Sequence, residues 1–325
     1  MATPSSTASA AAATITNYLE VRSPYDYTPS LAPGLAFSIV FGVITLVHCG
    51  IAVRYRNWVA FVALIPGGIL EIIGWAGRLW SHYKVLNSNP FIMQMCCLIL
   101  GPAFFSAWAY TVLGYCIMTL GPAYSLLRPK AYIAIFVTAD AVCLVLQAIG
   151  GGLAAVRAKS GNNVQMPTRI MLSGVLVQLG TMTIFSILAV DFIARVISRR
   201  PYARRVRSLD RQGLWSGVET AEDVAPSTPP LAGSDAEKHI PASVHGLTAA
   251  DRARRLRKAK LLLIGTAFAS AMIYVRGVYR SIELAQGWSG YLMTHEVFFT
   301  WLDGFPMLLC YASFAVAHPG WLIEK

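Results

Sequence analysis

The feature that most constrains this chain is a series of apolar runs, each long enough to cross a lipid bilayer. A membrane-spanning helix needs about 20 consecutive, predominantly apolar residues. Only 13% of the 325 residues are charged, whereas about a quarter of the residues in a soluble domain are charged. The sequence therefore predicts an all-α membrane protein, a bundle of seven transmembrane helices. We place the seven runs at 32–53, 58–77, 91–119, 131–156, 171–193, 259–282 and 297–317.

The third run leaves the helix count open, because 43 uncharged residues separate Lys84 from Arg128. This length fits either one long helix or two short helices. Lys and Arg accumulate in cytosolic loops, and a single helix here puts 19 of the 27 Lys and Arg residues on one side of the membrane. Two helices would move the longest basic segment to the outside. We therefore expect one helix, beginning at Asn89-Pro90, since proline is favoured in the first helical turn.

The same charge bias predicts the topology, with the N-terminus outside and the C-terminus in the cytosol. An extracellular N-terminal segment (1–31) then precedes helices one to five (32–194). A cytosolic loop (195–258) leads to helices six and seven (259–318), and a short cytosolic tail (319–325) follows.

The loop 195–258 is the longest hydrophilic stretch and is rich in Pro, Ser, Gly and charged residues. This composition predicts disorder. Both ends of the loop are dense in Arg and Lys beside the membrane, where anionic lipid head groups attract basic residues. The alternative is that these charges only fix the topology. Thr248 and Asp251 form a capping-box pattern, so we expect the sixth helix to begin before the apolar run.

Basic residues also raise the question of nucleic acid, because the net charge is +11. Most of them flank the apolar runs, as membrane topology requires, and the sequence has no zinc-finger, basic-zipper or RNA-binding signature. We expect no nucleic-acid partner.

Polar side chains inside the apolar runs are the candidate site. A charge at the bilayer centre costs about 2.5–3.5 kcal/mol on insertion scales, so each one calls for a partner or a cavity. Helical geometry puts almost all of them in the half of the bundle that faces outside, on six helices, which predicts an outward-facing polar cavity. The set comprises Glu71, Arg78, Gln94, Asp140, Gln147, Gln178, Arg276, Arg280, Glu283, Glu296 and Asp303.

The charges of this set indicate what the cavity would bind. Five carboxylates face three arginines, which favours a cationic or zwitterionic amphiphile as the substrate. Arg276 and Arg280 are four residues apart and repel each other, so a carboxylate from another helix, Asp303, should approach them. The alternative is that the set forms ion pairs that fix helix packing and bind nothing.

The chain resembles the fungal lipid-translocating exporters, the RTA-like family named for resistance to aminocholesterol. The resemblance covers roughly 27–195 and 260–320 and is specific only when its pieces are taken together. These pieces are Tyr27-x-Pro29-Ser30, Glu71-x-x-Gly74-x-x-x-Arg78, Gln94 with Gly101-Pro102 and Tyr110, Asp140 with Gln147, Gly174-x-x-x-Gln178, Arg276-x-x-Tyr279-Arg280-x-x-Glu283, Gly287, Glu296, Asp303 and Pro306-Met307.

The resemblance implies seven helices in the plasma membrane or an internal membrane of a fungus. It also implies roles in sphingoid-base release, resistance to toxic amphiphiles or porphyrin traffic. We therefore expect a transporter of amphipathic lipids. A seven-helix receptor or sensor of lipids or stress is the alternative, because an outside N-terminus and a long basic third cytosolic loop are also typical of receptors.

An enzymatic function is the third possibility, and the sequence argues against it. The histidines are scattered along the chain, so no three are expected to share a metal ion, as a zinc hydrolase requires. The nucleotide-binding loop G-x-x-x-x-G-K-[ST] is also missing. We expect no catalytic residue, no metal and no cofactor.

Overall fold

A computed structural model describes residues 25, 27–160, 162–210, 249–288 and 290–322. These residues contain no β-strand and include seven helices long and apolar enough to cross a membrane. The predicted seven-helix, all-α fold is confirmed, and the chain is a multi-pass integral membrane protein. We number the seven long helices as α1 Leu31–Arg54, α2 Val59–Tyr83, α3 Ser88–Leu120, α4 Pro129–Lys159, α5 Gln165–Ile197, α6 Ala249–Gln286 and α7 Glu296–Val316.

The third run is one helix, as the distribution of basic residues predicted. α3 has 33 residues and keeps Pro102 in its interior. It begins at Ser88, slightly earlier than predicted, because the Asn87 side chain accepts a hydrogen bond from the backbone N–H of Asn89 at 3.0 Å. Pro90 then lies in the first turn, where its missing N–H leaves no helical hydrogen bond unmade.

Proline also explains the break in α2. The helix consists of Val59–Ala63 and Ile65–Tyr83, separated at Leu64. Leu64 lies two residues before Pro66, and the residue preceding a proline is disfavoured in helical geometry, so helices tend to end near such positions. The second part of α2 carries Glu71 and Arg78.

The helices pack mainly against their neighbours in sequence, and α3 lies at the centre, in contact with α2, α4 and α6. We call the end of the bundle where α1, α3, α5 and α7 begin the N-side, and the opposite end the C-side. α6 also packs against α5 and α7, which closes the bundle. The largest fully buried side chains include Trp75, Trp108 and Tyr110.

The C-side carries the ordered parts of the loop predicted to be disordered. α6 begins at Ala249, as the capping-box pattern predicted. Residues 203–210 form a short helix instead of the expected disorder, because the Tyr202 N–H donates to the Ala123 carbonyl at 3.0 Å and holds it on the bundle. Residues 211–248, the middle of the loop, lie outside the described residues.

Candidate functional site

Two arginines of α6 share one carboxylate of α7 in the interior of the bundle. Arg280 donates from Nε to Asp303 Oδ1 at 2.6 Å and from Nη2 to Oδ2 at 2.9 Å. Arg276 Nε lies 3.0 Å from the same Oδ1. Glu283 accepts a hydrogen bond from Arg280 Nη1 at 2.7 Å. We call these four residues the ionic cluster, and its geometry agrees with the expectation that Asp303 relieves the repulsion between the arginines.

The local backbone of α7 brings Asp303 into the bundle. Residues Thr300–Gly304 form a π-helical turn, and such insertions rotate the residues on either side relative to a regular helix. Gly304 contacts the indole of Trp75 so closely that an added side-chain carbon would overlap it. The glycine therefore allows α7 to approach α2 at the level of the ionic cluster.

The residues around the ionic cluster add further contacts to it. Tyr279 donates to Glu283 Oε1 at 2.9 Å, and Arg276 donates to the backbone carbonyl of Leu98. The Phe299 ring lies 5.1 Å from the Arg280 guanidinium carbon, a cation–π distance. Buried ion pairs of this kind need such additional hydrogen bonds to offset their desolvation.

A second network holds the residues before α1 against the N-side. Arg78 pairs with Glu296 at 2.9 Å and donates to the Tyr27 hydroxyl at 2.7 Å. Glu296 in turn accepts hydrogen bonds from the backbone N–H and the hydroxyl of Ser30, the latter at 2.6 Å. Arg78 and Glu71, seven residues apart on α2, therefore belong to different networks.

Tyr25 extends this network to α3. Its hydroxyl donates to Gln94 Oε1 at 2.8 Å and lies 2.9 Å from Ser81 Oγ. Burial raises the pKa of the Tyr25 phenol to about 12, so the hydroxyl keeps its proton at neutral pH. We call the segment formed by Tyr25 and residues 27–30 the N-terminal strap.

Two carboxylates have no ion-pair partner among the described residues. Glu71 is buried beside Gly101, and its Oε1 has no hydrogen-bond partner. Asp140 accepts a hydrogen bond from Tyr110 at 3.0 Å through Oδ2, while Oδ1 is unpartnered. They are the two carboxylates by which the predicted polar set exceeds its arginines, because the other three carboxylates of the set pair with arginines.

A cavity of about 610 Å³ lies between α3, α4 and α5 toward the N-side. Its walls are mostly apolar. The wall that α4 provides consists mainly of glycine and alanine, so this helix leaves room that larger side chains would fill. Trp288, from the segment after α6, lines the cavity and donates to Thr168 Oγ1 at 2.6 Å. The α4 wall consists of Gln147, Ala148, Gly151, Gly152, Ala154 and Ala155.

A small cleft of about 40 Å³ continues from this cavity toward α6 and shares Ile99 and Gln147 with it. Gln147 donates to Gln178 Oε1 at 2.8 Å. Gly174, one turn from Gln178, makes this pair possible, because a side chain there would come within 2.8 Å of Gln147 Cγ. Arg276 also lines the cleft.

The structure therefore divides the predicted polar set. The set does not form the single polar cavity that we expected. Most of its charges pair with one another in the packed interior, and the cavity between α3, α4 and α5 is mostly apolar. Sequence reasoning missed the cavity wall at Trp288 and the strap residue Tyr25. The run of small residues on α4 was the available signal for the cavity. The members of the predicted set that line the cavity or the cleft are Gln147, Gln178, Arg276 and Arg280.

The chain is similar to three curated proteins of Saccharomyces cerevisiae. It is 29% identical to the sphingoid long-chain base transporter RSB1 over 302 residues, which cover 91% of this chain and 73% of the relative. It is 26% identical to protein RTA1 over 322 residues, 91% of this chain and 84% of the relative. Protoporphyrin uptake protein 1 is 25% identical over 258 residues, 79% of this chain and 68% of the relative. No solved structure matches the chain.

The family described as RTA1 like protein matches residues 64–325, which span α2 from its break onward and all later helices. This range contains every polar residue of the ionic cluster, the cavity and the cleft. The resemblance predicted from the sequence motifs is thereby confirmed, and the chain belongs to the RTA1-like protein family.

Proposed function

We propose that this protein transports single-chain amphiphilic lipids, of the sphingoid-base type, across the membrane in which it lies. The observation that carries the proposal is the cavity of about 610 Å³ between α3, α4 and α5. Its volume falls in the range of about 300–1,000 Å³ that is typical of small-molecule binding sites. Similarity to a sphingoid long-chain base transporter supports the same substrate class.

The apolar walls suit the hydrocarbon tail of such a lipid. A tail entering this cavity exchanges one apolar environment for another, so little free energy opposes its movement. The polar head group is the difficult part, because it needs hydrogen-bond partners at every depth of the bilayer. The cleft lies at the deep end of the cavity, and its polar side chains can supply these partners within the bilayer. This role needs no catalytic step, no cofactor and no metal.

The ionic cluster has a supporting role in this proposal. Its four residues are almost fully buried and their charges balance. They hold α6 against α7 and so fix the wall of the cleft that α6 provides. A cationic head group is therefore recognised less by surplus carboxylates, as the sequence suggested, than by the polar groups of the cleft.

We further propose that the N-side faces outward and the C-side faces the cytosol of a fungal cell, at the plasma membrane. The positive-inside rule supports this topology, since 19 of 27 basic residues then lie in the cytosol. Exposed arginines of the C-side, including Arg199, Arg200, Arg204 and Arg207, lie next to α5 and suit anionic lipid head groups. Protease added to intact cells should spare residues 211–248, and cleavage there from outside would contradict this topology.

A reconstitution experiment with two matched glycine variants tests the transport function. Gly151 lines the cavity, whereas Gly180 on α5 has open space around it and lines neither the cavity nor the cleft. Gly151→Leu fills the cavity, so it should slow the movement of a labelled long-chain base through proteoliposomes at least tenfold. Gly180→Leu makes the same chemical change and should transport normally.

Three outcomes would count against this function. Equal rates for the Gly151→Leu variant and the unmodified protein would show that the cavity is not the path. Equal loss in the Gly151→Leu and Gly180→Leu variants would point to a packing defect. Binding of the lipid without any movement by the unmodified protein would favour the receptor or sensor.

A further inference from the structure

Gln147 combines burial with an unused hydrogen-bonding atom. The side chain is only 2% exposed, and its Nε2 donates to Gln178 Oε1 at 2.8 Å. Its Oε1 has no hydrogen-bond partner in the part of the chain that the structure describes. Leaving a buried acceptor unpaired is costly, and such an atom calls for a specific explanation.

The position of Gln147 supplies that explanation. It lines both the large cavity and the cleft, so it lies where the two meet. Twelve residues separate it from the N-side end of α4 at Lys159, which corresponds to about 18 Å along the helix. This depth is close to the middle of a hydrocarbon core about 30 Å thick. A head group passing this point has no water to bind.

The chemistry around Gln147 selects the kind of head group. Oε1 accepts hydrogen bonds, while the side-chain N–H2 of Gln178, which also lines the cleft, can only donate them. No carboxylate is among the described residues that line the cavity or the cleft. A hydroxyl both donates and accepts, so it fits this mixture. An ammonium group only donates, so it can bind Oε1 but offers no acceptor to the N–H2 of Gln178.

We propose that Gln147 and Gln178 form a binding station for the hydroxyl groups of an amphiphile's head, halfway across the membrane. The inference rests on the proposed transport of single-chain lipids and narrows their class to hydroxyl-bearing head groups. Gln147 accepts a hydrogen bond from the hydroxyl, and the side-chain N–H2 of Gln178 donates to the hydroxyl oxygen. The station discriminates among lipids of equal tail length by their head groups.

Two probes of equal chain length test this specificity. Sphinganine carries an amine and two hydroxyls, whereas octadecylamine carries only the amine. The unmodified protein should move and bind sphinganine in preference to octadecylamine. Gln147→Leu should reduce this preference about tenfold, the effect of losing one hydrogen bond.

Gln94→Leu is the matched control. Gln94 is as buried as Gln147 and also carries a hydrogen bond, but it lines neither the cavity nor the cleft. This variant should keep the preference for sphinganine. Gln178→Leu provides a second test at a half-buried position that tolerates substitution more easily, and it should also reduce the preference.

Equilibrium binding separates this inference from the proposed function. Affinities for both probes can be measured in nanodiscs through tryptophan fluorescence, because Trp288 lines the cavity. Failure of the unmodified protein to move either probe would overturn the transport function, while the ratio of affinities would still test the station. An unchanged ratio in Gln147→Leu, or an equal loss of affinity for both probes, would overturn the station.

Discussion

The ionic cluster and the cleft lie side by side on α6, yet their polar atoms are in opposite conditions. In the ionic cluster, Asp303 bonds to Arg280 through both oxygens and Glu283 is bonded at both of its own. In the cleft, Gln147 Oε1 is buried without a partner. Arg276 and Arg280 belong to both regions.

Satisfied and unsatisfied hydrogen-bonding atoms separate scaffold from site among buried polar residues. A network that satisfies itself leaves nothing for a ligand and serves to orient helices. An unsatisfied atom beside a cavity lowers the stability of the empty protein, and a ligand that bonds to it recovers that free energy. Burial and charge, the properties that the sequence pattern indicates, do not by themselves distinguish a scaffold network from a binding site.

The largest expected effect concerns the centre of the ionic cluster. Asp303→Asn removes the charge that two arginines share. The two buried guanidinium groups then keep only the Glu283 carboxylate of the ionic cluster as a counter-charge. Breaking a buried pair in this way typically costs about 3–5 kcal/mol. Thermal unfolding of the purified protein in detergent should show the loss, together with a lower folding yield.

A second-site change shows whether the ionic cluster is only a scaffold. Combining Asp303→Asn with Arg276→Gln removes one positive charge and should partly restore the yield. If the ionic cluster is only a scaffold, transport should return together with the yield. Loss of transport in a stable double variant would mean that the ionic cluster also contacts the substrate.

An intermediate effect is expected at the N-terminal strap. Glu296→Gln weakens the pair with Arg78 and the hydrogen bonds from Ser30, and hydrogen bonds to charged groups contribute about 1.5–3 kcal/mol each. The cost should be smaller than for Asp303→Asn, because Glu296 is partly exposed. Faster proteolysis of the N-terminal segment would report the loosened strap, and equal protection in both proteins would contradict its role.

A smaller effect distinguishes two glutamines that are equally buried. Gln94→Leu leaves the Tyr25 hydroxyl without its acceptor and should cost about 1 kcal/mol of stability. Gln147→Leu loses the bond to Gln178 but also removes an unpaired acceptor, so its stability should change by less than about 0.5 kcal/mol. Unfolding midpoints in the same detergent make this comparison, and a larger loss for Gln147→Leu would show that its oxygen is already satisfied.

The smallest effect is expected for the middle of the long hydrophilic loop. Deletion of residues 213–247 should leave insertion and the unfolding midpoint unchanged, because their composition cannot bury enough apolar surface to fold. Deletion of the short helix 203–210 is the contrasting control, since Arg205 Nε donates to the Ser125 carbonyl at 3.2 Å. A folding defect in the first deletion would show that the loop is structural.

The number of helices and the single long α3 could be predicted from the amino-acid sequence. Length and hydrophobicity decide whether a segment crosses a membrane, and the distribution of basic residues excluded two helices in the third run. The sequence also indicated that a carboxylate from another helix approaches Arg276 and Arg280, with Asp303 as the candidate that the structure then showed in that position. Their repulsion follows from spacing on one helix and does not depend on how the helices pack.

The pairing of the other charges and the position of the cavity could not be predicted from the sequence, because they depend on how the helices pack. Spacing along α2 places Glu71 and Arg78 on one face of their own helix, but it does not say that Arg78 would pair with Glu296 of α7. Likewise, small residues on α4 form a cavity only because α3 and α5 stand at a distance that leaves the space unfilled. Both features depend on the packing between helices, and the pattern within a helix carries no direct record of the neighbour it will face.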